Sequence, residues 1–99
     1  MRMYGEKLHV FSGSSNPDLG AGIARSMGVP LGNCRIAAFP DGEIDLKVED
    51  DVRGSDVFVV QSTCPPVNEN LMELLMMIDC VKRASAARVT AVIPYFGYA

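Results

Sequence analysis

The sequence predicts a three-layer α/β domain with a mainly parallel sheet and one β-hairpin. Three observations carry that prediction. Residues 56–60 and 88–93 are dominated by β-branched and apolar side chains without alternation, as in strands covered on both faces. Segments of helical period, near 17–27 and 68–84, fall between the extended ones. Residues 43–48 alternate strictly between polar and apolar beyond an Asp-Gly corner, the mark of a half-buried hairpin strand.

Taken in order, Leu8-His9-Val10-Phe11-Ser12 reads as the first strand, closed by Gly13-Ser14-Ser15. Asn16 then offers a side-chain oxygen to the start of a helix whose first position is Pro17, where a missing N–H removes no intrahelical bond. Leu19, Ile23 and Met27 mark its inner stripe, and Gly28 ends it with Pro30 just beyond. Residues 34–39 and 43–48 form the hairpin around Pro40-Asp41-Gly42, and residues 49–55 a polar turn. The strand 56–60 runs into a loop over residues 61–66. A long helix follows from near Asn68 to about Ala84, and a last strand is halted by Pro94. Right-handed crossovers would set the helices against the faces of the sheet.

The long helix carries an unusually wide apolar surface. Leu71, Leu74, Leu75, Ile78 and Val81 form a stripe suited to packing on the sheet, and Met72, Met76, Met77 and Cys80 extend it. Helices apolar around most of their circumference are covered on two sides. Either a further layer of the same polypeptide or a second subunit would supply that cover, and methionine-rich surfaces suit the latter. The chain stops just after a buried-type strand, at the end of the sheet where ligands of open α/β folds sit. That places the expectation on one partial domain over residues 1–99.

Composition excludes several classes. A net charge of −3 provides no basic footprint for nucleic acid or an anionic membrane. No apolar run reaches the ~20 residues of a membrane span. The first seven residues hold no signal-peptide core, so a cytoplasmic location is expected. Cys34, Cys64 and Cys80 are widely spaced, and a lone His9 cannot complete a zinc site of usual spacing; reduced, packed thiols are expected. His9 itself lies mid-strand and reads as a strand side chain.

Two short segments could bear chemistry. In Phe39-Pro40-Asp41-Gly42-Glu43 an aromatic face precedes two carboxylates, a combination able to stack on a purine and accept hydrogen bonds from its exocyclic amine. The same residues also make an ordinary hairpin corner. Ser12-Gly13-Ser14-Ser15-Asn16 opens a helix after a strand, where backbone amides can hold phosphate, yet it matches neither common phosphate-loop pattern and also reads as a turn with an N-cap.

Longer strings add specificity. Phe-Ser-Gly-Ser-Ser at 11–15, Phe-Pro-Asp-Gly-Glu at 39–43, Val-Arg-Gly at 52–54 and Val-Gln-Ser-Thr-Cys at 60–64 stand in order. Asn-Glu-Asn-Leu-Met-Glu-Leu at 68–74 and Arg-Val-Thr-Ala-Val-Ile-Pro-Tyr-Phe-Gly-Tyr-Ala at 88–99 follow. The set resembles the amino-terminal region of ribose-phosphate pyrophosphokinases. The resemblance implies a phosphoribosyltransferase-like domain, and an activity that moves the diphosphoryl group of ATP to the C1 hydroxyl of ribose 5-phosphate with Mg²⁺. It also implies a homo-oligomer, with Phe39, Asp41 and Glu43 contacting ATP held mainly by a neighbouring subunit. Pro40 stands where serine is common. Arg53 and Ser85 match positions linked in the family to a regulatory phosphate or ADP site at subunit contacts, while Asp51 departs from the serine of some relatives. The metal ligands and the loops that carry the chemistry would lie beyond Ala99, so the resemblance implies no catalytic residue and no synthetase activity in these residues alone. A non-catalytic regulatory or assembly subunit of the same fold is the alternative; the intact Asp41-Gly42-Glu43 favours the catalytic branch.

Overall fold

The computed structural model describes residues 7–97. The N-terminal stretch read for a signal core, apart from Lys7, and the last two residues of the terminal segment lie outside the described residues. The elements run β1 (Leu8–Ser12), α1 (Pro17–Ser26), β2 (Cys34–Ala38), β3 (Ile44–Val48), β4 (Asp56–Val60), α2 (Val67–Arg83) and β5 (Arg88–Val92). Every element matches one read from the sequence, with ends shifted by a residue or two.

β1, β4 and β5 form a parallel sheet in the order β1-β4-β5, and β2 and β3 pair antiparallel as a separate hairpin. In-register pairing sets Phe11 beside Val59 and Val10 beside Phe58. Alternation then sends side chains to two cores. Phe11, Val57 and Val59 meet Leu74, Met77 and Val81 of α2 on one face. Val10 and Val60 meet Ala24, Leu19, Ile23 and Met27 of α1 on the other. The predicted three layers are therefore helix, sheet, helix, with the α1 stripe as read.

The connection from α1 to the hairpin explains how one chain reaches both faces. Leu31 bridges Val10 in parallel, and the Gly32 N–H donates to the Val10 carbonyl at 2.8 Å. The chain thus passes along the outer edge of β1, leaving the α1 face and arriving on the α2 face. There Cys34, Ile36, Leu46 and Val48 of the hairpin pack against the α2 core.

That placement corrects the reading of α2. Its own hairpin covers part of the wide apolar surface, leaving Met76 and Cys80 half-buried. Met77, assigned to the outer extension, is fully buried, whereas Leu75, assigned to the sheet-facing stripe, is 51% exposed. The turn before β4 also differs from its polar reading: Val52 inserts into the main core and Ser55 is buried. The Ser55 carbonyl accepts from the Ala87 N–H at 2.8 Å, which closes the lower end of the sheet. No helix is long and apolar enough to cross a membrane among the described residues.

Candidate functional site

The loops after β1, β4 and β5 meet at the carboxyl ends of the strands. The Gly13 N–H donates to the Val60 carbonyl at 2.8 Å, and the Thr63 N–H to the Tyr95 carbonyl at 2.8 Å. The Thr63 hydroxyl donates to the same carbonyl at 3.0 Å and accepts from the Gly97 N–H at 2.7 Å. Pro65-Pro66 is a cis peptide at the entrance to α2. The Asn70 carboxamide, one turn later, donates to the Cys64 carbonyl at 2.8 Å.

Beside these loops a cleft of about 800 Å³ opens between the hairpin and the first half of α2. Ser14, Asn68, Glu69, Asn70, Met72 and Met76 stand on the helix side; Ile36, Phe39, Gly42, Glu43 and Ile44 stand on the hairpin side. No lysine or arginine is among its lining residues. The cleft therefore offers apolar surface, amides and carboxylates, a poor match to phosphate and a good one to an aromatic ring bearing amine donors.

The hairpin corner that forms one lip is built from its own sequence. The Phe39 N–H donates to the Glu43 carbonyl at 2.7 Å, and the Gly42 N–H to the Phe39 carbonyl at 2.9 Å. Gly42 sits at φ +92°, a conformation that a side chain would strain. Asp41 Oδ1 accepts from the Glu43 N–H at 3.0 Å, so its carboxylate braces the turn. Phe39 is left 49% exposed, its ring at the mouth of the cleft. The structure thus brings Phe39 and Glu43 to the cleft and turns Asp41 back onto the corner between them.

The serine-rich loop has a different use from either of its sequence readings alone. Asn16 does cap α1, its Oδ1 accepting from the Leu19 N–H at 3.1 Å. The Ser14 N–H, however, donates to Glu73 Oε2 at 2.6 Å and the Ser14 hydroxyl to Oε1 at 2.7 Å. The Ser15 hydroxyl donates to Gln61 Oε1 at 2.7 Å, with its N–H at 3.3 Å from the same atom. Gln61 Nε2 donates onward to Glu73 Oε2 at 2.7 Å. The Glu73 carboxylate and the Gln61 side-chain carbonyl therefore occupy the Ser14 and Ser15 amides that a phosphate would have needed. Glu73 and Gln61 were missed in the sequence. The one available signal was a glutamate set between Met72 and Leu74 at a position that helical periodicity turns inward.

The remaining candidates lie elsewhere. His9 is in β1, its ring stacked 6.1 Å from that of Phe11 and its Nδ1 3.9 Å from Asp50. Cys34, Cys64 and Cys80 are free thiols, all half-buried. The Cys34 thiol is pushed up to about 11, chiefly by burial, then by the neighbouring Cys80, Glu73 and Glu49. Among the described residues no group of three or more His, Cys, Asp or Glu comes together to hold a metal ion. The Glu73 oxygens, already accepting three hydrogen bonds, do not fit that role either.

Residues 8–99 match the family model described as the N-terminal domain of ribose phosphate pyrophosphokinase. The chain belongs to that family. It is 54% identical over 99 residues to a ribose-phosphate pyrophosphokinase of Clostridium perfringens (strain 13 / Type A), covering all of this chain and 31% of the relative. It is 60% identical over 93 residues to ribose-phosphate pyrophosphokinase 1 of Spinacia oleracea, covering 94% of this chain and 28% of that one. The crystal structure of phosphoribosylpyrophosphate synthetase from Mycobacterium smegmatis superposes with a TM-score of 0.89 at 40% identity. It covers 94% of this chain and 31% of the other. The chain spans about a third of the length of these pyrophosphokinases. A hypoxanthine-guanine phosphoribosyl transferase from L. donovani shares the fold alone, with a TM-score of 0.59 at 16% identity over 89% of this chain and 53% of the other.

In this pyrophosphokinase domain Arg53 and Ser85, 32 positions apart in sequence, are neighbours. The Gly54 N–H donates to the Ser85 carbonyl at 2.9 Å, and Asp51 Oδ1 accepts from the Arg53 N–H at 3.1 Å. Ser85 takes a positive φ of 69° in the turn that follows α2. Both side chains are exposed, and they lie at the far end of α2 from the cleft. The structure therefore gathers the five residues singled out in the sequence into two separate places.

Proposed function

We propose that this domain contributes one wall of an ATP site in an enzyme that transfers the diphosphoryl group of ATP to C1 of ribose 5-phosphate, yielding phosphoribosyl pyrophosphate and AMP. Membership of the pyrophosphokinase family supports the reaction. The half-exposed Phe39 ring beside Glu43, at the lip of a cleft without cations, carries the assignment of this region to the base rather than the phosphates. Stacking of a base on one aromatic ring contributes about 1–3 kcal/mol. Glu43 accepts from the exocyclic amine of adenine, and Asp41 holds the corner that aims it.

The phosphates and ribose 5-phosphate require cations, and the transferring group requires Mg²⁺ to offset its charge. Among the described residues no cluster fits a metal ion, and other parts of the polypeptide would hold the Mg²⁺. Phosphate-binding groups come from other parts of the polypeptide and from a neighbouring subunit, in keeping with a homo-oligomer; the exposed Met72 and Leu75 beside the cleft support such a contact. In the same reading, Arg53 and Ser85 present a guanidinium and a hydroxyl to a regulatory phosphate at the opposite end of α2.

The test is an assay for phosphoribosyl pyrophosphate from ATP, ribose 5-phosphate and Mg²⁺. The full-length protein containing this domain should form it, and the 99 residues alone should not. Product from the isolated domain would overturn the view that these residues hold only part of the site.

A further inference from the structure

Glu73 is the buried carboxylate that the proposed reaction leaves unused. It is 6% exposed, yet it forms the floor of the cleft together with Ser14. Its oxygens accept three hydrogen bonds, from the Ser14 hydroxyl on Oε1 and from the Ser14 N–H and Gln61 Nε2 on Oε2. Gln61, 1% exposed, grips both sides of the same junction. Its Oε1 accepts from the Ser15 hydroxyl and its Nε2 lies 3.3 Å from the Asn70 carbonyl. The Ser15 hydroxyl in turn accepts from the Ser62 N–H at 3.1 Å. Three segments distant in sequence, at 13–15, 61–62 and 70–73, are thereby pinned to one another. Gly13 shows how close the fit is, since a Cβ there would run into Gln61 Oε1 and stand 2.7 Å from Glu73 Oε2.

We propose that Glu73 and Gln61 are positioning residues for the nucleotide cleft. They fix the first half of α2 against the β1–α1 loop and so set the distance between that wall and the Phe39–Glu43 lip. Neither touches the ligand. Buried charges of this kind need every lone pair matched, because a misplaced donor or acceptor in a low-dielectric interior is expensive. A carboxamide at position 73 could keep its oxygen on the two N–H donors and give its own N–H to the Ser14 hydroxyl, which can accept as well as donate. Truncation to alanine instead removes all three acceptor contacts and frees the loop from the helix. The hairpin lip, which makes no hydrogen bond of this network, stays in place. The wall moves and the lip does not.

This inference rests on the purine reading of the cleft, and its test separates the two. In the full-length protein, ATP and ribose 5-phosphate affinities are measured by calorimetry for Glu73→Ala, Phe39→Ala and Val81→Ala, the last a core change on α2 away from the cleft. Exchange of the Ser14 and Ser15 amides and the melting temperature are followed in parallel. Glu73→Ala should weaken ATP binding roughly fivefold, in the range of positioning changes remote from a ligand, with faster exchange at both amides. Its ribose 5-phosphate affinity should hold, and Val81→Ala should leave both affinities unchanged despite a lower melting temperature. ATP affinity unaltered in Glu73→Ala, or an equal loss in Val81→Ala, overturns the positioning role. No loss in Phe39→Ala overturns the purine reading itself, and the positioning role with it. If Glu73→Ala does not fold, Ser15→Ala removes one donor to Gln61 and should show the same selective loss at smaller amplitude; unchanged ATP binding there overturns the role as well.

Discussion

Gly13 and Cys34 show how single atoms constrain this domain. A methyl group on Gly13 has no room between Gln61 and Glu73, and overfilled interiors cost about 1–3 kcal/mol. Gly13→Ala should lower the melting temperature by several degrees, as thermal denaturation will show; an unchanged melting temperature would mean that the tether is slack. Cys34 bears on pH. The unfolded chain releases its thiol proton near the ordinary 9.0 and the folded domain near 11. The folded form thus binds the proton more tightly, and its contribution is full below pH 9 and lost as pH rises towards 11. Denaturant titrations of wild type and Cys34→Ser across that window should show the wild type losing stability more steeply. At this scale, what was legible in the sequence was local. Asn16 reaches only three residues to its partner and Asp41 only two. The Ser14–Glu73 bond spans 59 residues; periodicity could turn Glu73 inward but could not name its partner.

Among the elements, α2 decides most of the packing. Periodicity located it correctly but could not say which of its many apolar residues meet the sheet, because nearly every direction around it looked suitable. The hairpin resolved that ambiguity by covering part of the second side. Met77→Ala should therefore cost about 2–5 kcal/mol as a truncation in the core. Leu75→Ala should stay within about 0.5 kcal/mol, as surface changes do. Urea unfolding of the two variants checks the order, and comparable losses would contradict the packing described. Val52 makes a related point. One apolar residue in a charged turn carried no period at all, and only the fold reveals it as an anchor between β4 and α2.

For the whole molecule, the alternation of strands and helices was enough to predict the class, and the β-branched runs were enough to predict a parallel sheet. The strand order β1-β4-β5 was not readable, nor was the passage of the chain around β1 at Leu31, since both depend on contacts made only after collapse. The consequence is functional. Carrying the hairpin to the α2 face creates the cleft and places the Phe39 ring at its mouth, far from Arg53 and Ser85. Calorimetric titration of ATP into the full-length protein, wild type against Phe39→Ala, tests that arrangement most directly. Loss of stacking predicts affinity weaker by roughly ten- to a hundredfold, with Phe39→Tyr close to wild type; equal affinity in wild type and Phe39→Ala would contradict it.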